Sequence, residues 1–256
     1  MVGRPAGPPP DTLPRRRIFT RGGGRSGGGG GGLGRRLVLA LLLILFALPA
    51  VQVLLHRWVP VWLTPLQIVR AVEGRGLDRT WTAIEDISPD LIRAVIAAED
   101  ARFCSHTGFD VREMQKAWQD WRDGGTIRGA STISMQTARN VFLWPGRDPI
   151  RKGLELYMTP WMETVWPKKR IMEVYLNVAE WGPGLYGAEA AAQRYFNKPA
   201  AQLTRQEASL MAAVLPNPIR WSPAEPTAYI QRRAGTIRAR MPSAPSPVDG
   251  DPCPVR

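Results

Sequence analysis

The stretch Leu91–Asp100, LIRAVIAAED, joins a strongly apolar run to the carboxylates Glu99 and Asp100. Ser88-Pro89 precedes it, and a serine followed by proline at the first helical position is typical of a helix start. A carboxylate that ends an apolar helix is partly desolvated, which raises its pKa toward the range of a general base. The partial negative charge of the helix C-terminus should raise the pKa of Glu99 further. The alternative interpretations are an ordinary surface carboxylate and a structural salt bridge with Arg93 or Arg102.

Outward from this stretch, the pattern predicts a mainly α-helical chain. Helices are expected at about 88–98, 114–121, 131–143, 149–164, 168–178, 187–196 and 208–215. Capping patterns and helix-breaking glycine or proline set their limits, and Pro160 should kink its helix. Only residues 80–87 show the alternation of apolar and polar side chains that is typical of a strand. Residues 57–241 should therefore form one compact domain, and the Pro-rich tail 242–256 should be disordered.

The N-terminal segment differs from the rest of the chain. Residues 1–36 contain eight Arg and one Asp, which gives +7 of the total net charge of +12. Few of them are apolar, so we expect a disordered tail. Residues 37–56 form an apolar anchor long enough to span a membrane, and Arg35 and Arg36 place the N-terminus in the cytoplasm. A cleaved signal peptide is the alternative, although the apolar run is longer than is usual for one.

Cysteine and histidine are scarce. Cys104, Cys253, His56 and His106 are too few for a disulfide framework or a transition-metal site. The sequence leaves open whether the two cysteines pair. No nucleic acid partner is expected, because most of the positive charge lies beside the predicted membrane anchor.

Tryptophan is frequent in the predicted domain. We expect at least half of the five tryptophans named below to fill the core, and we expect membrane contact to extend beyond the anchor; the sequence does not show which of them touch lipid. These residues are Trp118, Trp121, Trp144, Trp161 and Trp166.

Four segments of the predicted domain combine charge with small or hydroxyl side chains. They are Glu99–Asp110, Gly129–Asn140, Arg147–Glu155 and Lys168–Asn177. In this order and spacing they resemble the peptidoglycan glycosyltransferases of family 51, over about residues 85–222. Val178–Gly184, VAEWGPG, is similar to the monofunctional biosynthetic peptidoglycan transglycosylases of that family. The second segment departs from the common pattern, since Met135 precedes Gln136 and Arg139 replaces a lysine.

The resemblance implies a lysozyme-like glycosyltransferase domain behind one transmembrane helix, on the periplasmic side of the bacterial inner membrane. Its substrates would be lipid II and a growing glycan on undecaprenyl pyrophosphate, joined by inverting β-1,4 transfer. Glu99 would deprotonate the acceptor hydroxyl, and Glu155 would orient donor groups and stabilise charge developing on the sugar. The residues implied to bind substrate or shape the site are Asp100, Phe103, His106, Thr132, Gln136, Arg139, Asn140, Arg147, Arg151, Lys152 and Lys168.

The residue pattern fits this chemistry independently of the resemblance. The spacing i, i+4, i+7 and i+8 places side chains on one face of a helix. This is the spacing of Thr132, Gln136, Arg139 and Asn140. Arginine binds phosphate oxygens bidentately and lysine adds a point charge, which suits a leaving pyrophosphate. The alternative is a solvated face with ordinary helix salt bridges.

Two other functions stay open at this point. A membrane-anchored lytic glycosidase would also use Glu99, although its sugar leaving group has little need of a cation series. A non-enzymatic scaffold of the division machinery is the second. No Ser-x-x-Lys or Lys-Thr-Gly motif occurs, so we expect no transpeptidation. The sequence requires no cofactor, although it leaves open a divalent cation at the pyrophosphate. It also leaves open partners among cell-wall synthesis and division proteins.

Overall fold

The computed structural model describes residues 1–3, 30–125, 129, 131–146, 148–248 and 253. Two units, Met1–Leu42 and Leu43–Arg256, are compact by themselves. Most of the N-terminal tail that was predicted to be disordered, residues 4–29, lies outside the described residues. The predicted site residue Arg147 also lies outside them.

The first unit contributes helix α1, Gly30–Leu42. Within the described residues, one helical stretch, Gly34–His56, is long and apolar enough to cross a membrane by length and composition. This stretch covers the span predicted at 37–56. It includes a π-helical turn, Leu43–Ala47, and helix α2, Leu48–His56.

The second unit is mainly helical, as predicted. Its further helices are α3 (Pro65–Val72), α4 (Pro89–Glu99), α5 (Val111–Arg122), α6 (Ile133–Phe142), α7 (Pro149–Val165), α8 (Lys168–Val178), α9 (Ala188–Phe196), α10 (Arg205–Val214) and α11 (Ala228–Arg240). Its strands are β1 (Asp78–Arg79), β2 (Glu180–Gly182) and β3 (Leu185–Tyr186).

Local sequence explains most helix starts. The Asp110 side chain accepts a hydrogen bond from Glu113 N at the start of α5, and Thr204 and Glu207 form a reciprocal capping box at α10. Ser88 differs, because its hydroxyl donates to Leu203 O rather than capping α4. Helix α7 continues through Pro160. Helices α3 and α11 were not predicted, although α3 also begins with a capping box, formed by Thr64 and Gln67.

The core lies where α4 packs against α10 and α11 and where α6 packs against α7 and α8. Apolar side chains of α4 are fully buried there, and the burial of apolar surface is the dominant favourable term in folding. The largest buried side chains include Trp166, Trp181, Tyr175, Tyr186 and Phe103. This arrangement fixes the C-terminus of α4, and with it Glu99, against α6.

The strand predicted at 80–87 is wrong. Only Asp78–Arg79 pairs, in parallel with Leu185–Tyr186, and Ile84–Asp86 forms a 3-10 turn. The reason is that Asn177 replaces a neighbouring strand. Its side chain accepts from Thr82 N and donates to Thr82 O, each at 2.8 Å.

The small sheet has the strand order β1-β3-β2, with β2 and β3 antiparallel. Gly184 lies in the turn between these strands with φ +66°, and a Cβ there would lie 2.0 Å from Arg75 O. Only glycine fits both the backbone conformation and this close approach. The turn carries β2, and therefore Glu180, against the segment that follows α3.

The described part of the C-terminal tail differs from the predicted disorder. Cys253 forms a disulfide with Cys104, at a Cα–Cα distance of 4.6 Å. Ser246 and Cys253 are buried. The disulfide settles the pairing that the sequence left open, and it ties the tail to the 3-10 turn Phe103–Ser105, which follows Glu99 and Asp100.

Helix α2 packs against the domain. Tyr157 donates to Leu45 O at 2.6 Å, and Trp166 Nε1 donates to Val53 O at 2.7 Å. Arg170 donates to His56 O at 3.0 Å and to Val59 O at 2.7 Å. These bonds, to the π-helical turn, to α2 and to Val59 beyond it, hold this part of the chain on α7 and α8.

The prediction that at least half of the tryptophans fill the core is wrong for the group considered. Trp118, Trp121 and Trp144 are exposed, Trp161 is half-buried and Trp166 is buried. Helix α5 buries no residue, and the rings of Trp118 and Trp121 lie 4.9 Å apart on its surface.

Candidate functional site

Glu99 is the last residue of α4, and its side chain is 13% exposed. Gln136 Nε2 donates to Glu99 Oε2 at 3.0 Å. Burial raises the pKa of Glu99, and Asp100 adds to the rise, while Gln136, Arg233 and Arg139 oppose it. The predicted rise is thus confirmed in direction, with burial as its largest cause. Arg102, one of the two predicted salt-bridge partners of Glu99, pairs instead with Asp110 at 3.0 Å.

Asp100 organises the loop that follows Glu99. Both of its oxygens lie 3.0 Å from His106 Nε2, and Oδ2 accepts from Ile133 N at 3.0 Å. Asp100 and His106 are buried. This carboxylate therefore joins the start of α6 to the end of α4, and His106 contacts it from the loop that follows α4.

Glu155 lies on α7 with only 2% of its side chain exposed, between two cations. Arg151 Nη1 donates to Oε2 at 3.1 Å, and Lys152 Nζ donates to Oε1 at 2.5 Å. Lys152 also donates to Ser131 Oγ at 3.2 Å and keeps 41% of its side chain exposed. The buried carboxylate thus holds one buried and one accessible cation at the cavity wall.

Helix α6 supplies the next group of predicted residues. Thr132 caps this helix, accepting from Met135 N and donating to Gly108 O, and it also lines the cavity that contains Glu99. Arg139 Nε donates to the buried Asn140 at 3.2 Å. Burial lowers the pKa of Arg139, while the charges of Glu155, Tyr175 and Glu99 raise it. Arg139 therefore links the two predicted catalytic carboxylates electrostatically.

Two cavities meet at these residues. The glutamate cavity, about 390 Å³, is lined by Glu99, Asp100, Arg102, Lys116, Ser131 and Arg240, among others. The cationic cavity, about 460 Å³, is lined by Gln136, Arg139, Asn140, Arg151, Lys152 and Glu155 and also by Ser131. Because Gln136 donates to Glu99, the carboxylate lies where the cavities adjoin. Their volumes lie within the range of ligand pockets.

Not every predicted residue joins this group. Lys168 Nζ lies 2.6 Å from Glu163 Oε1 and 4.5 Å from the centre of the Phe103 ring. It lines a third cavity, about 660 Å³, together with His106 and Trp166. Phe103 is fully buried. Within the described residues, Lys168 thus belongs to the packing around Phe103 rather than to the cationic cavity.

Sequence reasoning missed several residues at the site. Arg233 of α11 lies 3.7 Å from Glu99 Oε1. Tyr175 donates to Gln136 Oε1 at 3.4 Å, and Glu180 lines the cationic cavity. Tyr175 lies within the segment Lys168–Asn177 and Glu180 lies within Val178–Gly184, so the motifs could have indicated both residues. Arg233 follows an ordinary basic helix pattern and gave none.

The described residues contain no group of three or more His, Cys, Asp or Glu side chains placed to hold a metal ion. The positively charged side chains that line the cavity include Arg139, Arg151 and Lys152. Arginine and lysine at these positions suit an anionic ligand.

Comparison with known proteins adds the family. The family model described as Transglycosylase matches residues 67–242. A biosynthetic peptidoglycan transglycosylase of Caulobacter vibrioides is 55% identical over 203 residues, covering 79% of this chain and 89% of that protein. One from Rhodospirillum centenum is 55% identical over 204 residues, covering 79% and 86%. One from Bdellovibrio bacteriovorus is 47% identical over 222 residues, covering 84% and 89%.

Proposed function

Because the chain belongs to the transglycosylase family, we propose that it polymerises lipid II into β-1,4-linked glycan strands for the bacterial cell wall, without transpeptidation. Family membership makes it a glycosyltransferase of peptidoglycan synthesis. The proposal also includes the identity of the donor and of the acceptor and the role of each residue at the site.

The observation that carries the proposal is the hydrogen bond between Gln136 and Glu99 where the two cavities adjoin. A reaction that joins two lipid-linked sugars needs two binding spaces and a base between them. Glu99 has that position, and the cationic cavity beside it suits the pyrophosphate of the donor. The acceptor then occupies the glutamate cavity.

Glu99 acts as the general base in this mechanism. Its carboxylate takes the proton of the acceptor's 4-hydroxyl as that oxygen attacks C1 of the donor sugar. The bond from C1 to the pyrophosphate oxygen breaks, and the pyrophosphate lipid leaves with the bonding electron pair. Attack opposite the leaving group inverts the α linkage to β. Partial burial of Glu99 places its pKa nearer to neutrality, where a base is most effective.

The cations stabilise the leaving group. Arg139, Arg151 and Lys152 line the cavity, and a pyrophosphate needs this positive charge more than it needs a proton. Glu155 holds Arg151 and Lys152 in place and supplies negative charge beside the sugar as positive charge develops on the ring. A divalent cation bound by the phosphate oxygens is compatible with this arrangement but is not part of the mechanism.

The membrane brings substrate and enzyme together. The helical stretch Gly34–His56 serves as the anchor in the inner membrane, with the basic N-terminus cytoplasmic and the domain periplasmic. Helix α2 packs against α7, the helix that carries Glu155, and this packing keeps the cavity near the outer leaflet where the substrate lipid lies.

A product assay with labelled lipid II in detergent or vesicles tests the proposal. The expected product is a polymer that a muramidase degrades, formed together with released pyrophosphate lipid. Cleavage of finished glycan without polymer would select a lytic glycosidase instead. Failure of the folded protein to form polymer or to cleave glycan would leave only a scaffold role. Either of these outcomes would contradict the proposal.

A further inference from the structure

The cavity of about 660 Å³ beside Lys168 takes no part in the proposed mechanism. Arg57 lines it, and the stretch Gly34–His56, which is long and apolar enough to cross a membrane, ends directly before Arg57. Trp58 and Trp62 follow and are exposed, and tryptophan is enriched where a bilayer meets water. With the anchor in a bilayer, this juxtamembrane cavity lies at the level of the lipid headgroups.

Helix α8 begins at the wall of the juxtamembrane cavity, where Pro167, Lys168 and Lys169 line it. The first N–H groups of a helix have no partner within the helix and carry partial positive charge. Pro167 supplies no side-chain cap, and the first turn of α8 adds Lys168, Lys169 and Arg170 without an acidic residue. This is the reverse of the charge arrangement that stabilises a helix start. An anion bound in the cavity would offset the accumulated positive charge.

His106 gives a second and independent indication of a ligand. Its side chain is 5% exposed and lines the same cavity. Nε2 lies 3.0 Å from the Asp100 carboxylate, whereas Nδ1 is buried and has no hydrogen-bond partner among the described residues. Because a carboxylate only accepts, Nε2 carries the proton, and Nδ1 of the neutral ring is an acceptor. A buried acceptor without a partner is costly, so a donor group from a ligand would be stabilising here.

The charges on the cavity wall favour an anionic ligand. Glu163 is the acidic side chain among the described lining residues; it is 6% exposed and lies 2.6 Å from Lys168 Nζ. Lys169 meets Glu85 at the surface, where both are about half exposed and an ion pair contributes little. Arg57 donates to a backbone carbonyl, which carries no formal charge. Three basic side chains against one acidic side chain leave an excess of two positive charges on the wall.

A phospholipid headgroup combines the groups that this wall can bind. Its phosphate diester accepts from arginine, lysine and the N–H groups of a helix start. A glycerol headgroup also has hydroxyls, one of which can donate to His106 Nδ1. A zwitterionic headgroup would instead bring an ammonium group, and the lining carboxylate of Glu163 is already engaged by Lys168. Basic side chains at a bilayer surface attract anionic lipids.

We propose that the juxtamembrane cavity binds the headgroup of an anionic membrane phospholipid, with the phosphate diester between Arg57, Lys169 and the start of α8. The inference rests on the membrane anchoring within the proposed function and is independent of glycosyl transfer. A lipid bound there ties the domain to the bilayer surface at the end of α2. It therefore adds a second membrane contact to the anchor itself.

The test titrates the purified full chain in neutral detergent with short-chain phosphatidylglycerol, and native mass spectrometry gives the dissociation constant of the first bound lipid. Phosphatidylcholine is the zwitterionic comparison, and excess inorganic phosphate is a competitor that has the phosphate without the lipid. The variants are Arg57→Gln, Lys169→Gln and their combination. Arg232→Gln combined with Arg238→Gln, at exposed positions of α11, removes the same charge elsewhere. Unfolding temperatures verify that each variant is folded, and if one single variant is unfolded the other decides.

Each single variant should weaken phosphatidylglycerol binding about fivefold and the combination about twenty-fivefold, the scale of basic side chains near an anionic lipid. The control should match the parent, and phosphatidylcholine should bind the parent more weakly than phosphatidylglycerol does. Equal binding of phosphatidylglycerol by the parent and the combined variant would overturn the site, as would an equal loss in the control. Equal affinity for both lipids would overturn the anionic preference.

Two further outcomes separate the occupant from the anchoring. Displacement of phosphatidylglycerol by inorganic phosphate would overturn the lipid as the occupant and assign the cavity to soluble phosphate. Release of the chain from phosphatidylcholine vesicles by alkaline extraction would instead overturn the membrane anchoring on which the inference rests. Retention of the chain in the vesicles, with no displacement by phosphate, is the expected result.

Discussion

Arg233 Nη2 lies 3.7 Å from Glu99 Oε1, although the two residues are far apart in sequence. Arg233 is 29% exposed and is held by a bond from its Nε to Ala213 O at 3.2 Å. Its positive charge lowers the pKa of Glu99 against the stronger effect of burial. Arg233 therefore limits how far the pKa of the base rises, and it does so from a helix outside the four motifs.

Replacement of Arg233 by glutamine should shift the pH profile of polymerisation. Without the positive charge the pKa of Glu99 rises further, so more of the base is protonated at a given pH. The acidic limb of kcat/KM should move to higher pH, with most of the loss below neutrality and partial recovery in alkaline buffer. Arg233→Lys should retain much of the activity, and Arg232→Gln, at an exposed neighbour, should match the parent. An unshifted acidic limb would refute this role.

Lys168 should matter for stability more than for substrate binding. It is 13% exposed, and its partner Glu163 is 6% exposed. Removing one partner of such a buried pair costs about 3 kcal/mol, so Lys168→Met should lower the unfolding free energy on that scale without changing KM for lipid II. Lys169→Met is the matched control, since Lys169 pairs with Glu85 at the surface, where ion pairs contribute little. A large rise in KM with unchanged stability would contradict this and would assign Lys168 to binding of the pyrophosphate.

The disulfide should stabilise the domain. Cys104 and Cys253 are 149 residues apart, and a cross-link over a long loop restricts the unfolded chain. The double replacement Cys104→Ser with Cys253→Ser should lower the unfolding free energy by about 2–4 kcal/mol. Reductant should destabilise the parent similarly and leave the double variant unchanged. Identical unfolding of parent and double variant under oxidising conditions would count against the disulfide.

The pKa of Glu99 also predicts a stability effect. A carboxyl whose pKa is raised in the folded state binds its proton more tightly there than in the unfolded chain. Folding stability from this group is therefore present at low pH and is lost as pH rises through the folded pKa. Glu99→Gln should unfold at a higher temperature than the parent above neutral pH, and the difference should vanish in acid. A variant less stable than the parent at alkaline pH would contradict the raised pKa.

The sequence predicted those parts of the molecule that depend on local pattern. Helix α8 has the predicted limits, Lys168–Val178, and the capping box at Thr204 is present. The pairing of Glu155 with Arg151 and Lys152 within one helical turn follows from helix geometry. Such features need only residues that are close in the chain.

The errors come from contacts between distant residues. The strand expected at 80–87 is absent because an asparagine from α8, Asn177, bonds the backbone of Thr82. Arg233 reaches Glu99 through the packing of α11 on α4, which no local pattern encodes. The contacts of Lys168 with Glu163 and Phe103 were likewise not predicted from its motif, and its role at the anion stays a prediction.

The most direct test of the account is the polymerisation rate of Glu99→Gln on labelled lipid II, measured beside the parent and Glu225→Gln. Glutamine keeps the size of the side chain and one accepting oxygen, but it cannot take up the acceptor's proton. Loss of a general base costs about 10²–10⁴-fold in rate. The account predicts a fall of this size for Glu99→Gln at unchanged folding, and none for the control. Polymerisation by folded Glu99→Gln at the parental rate would contradict it.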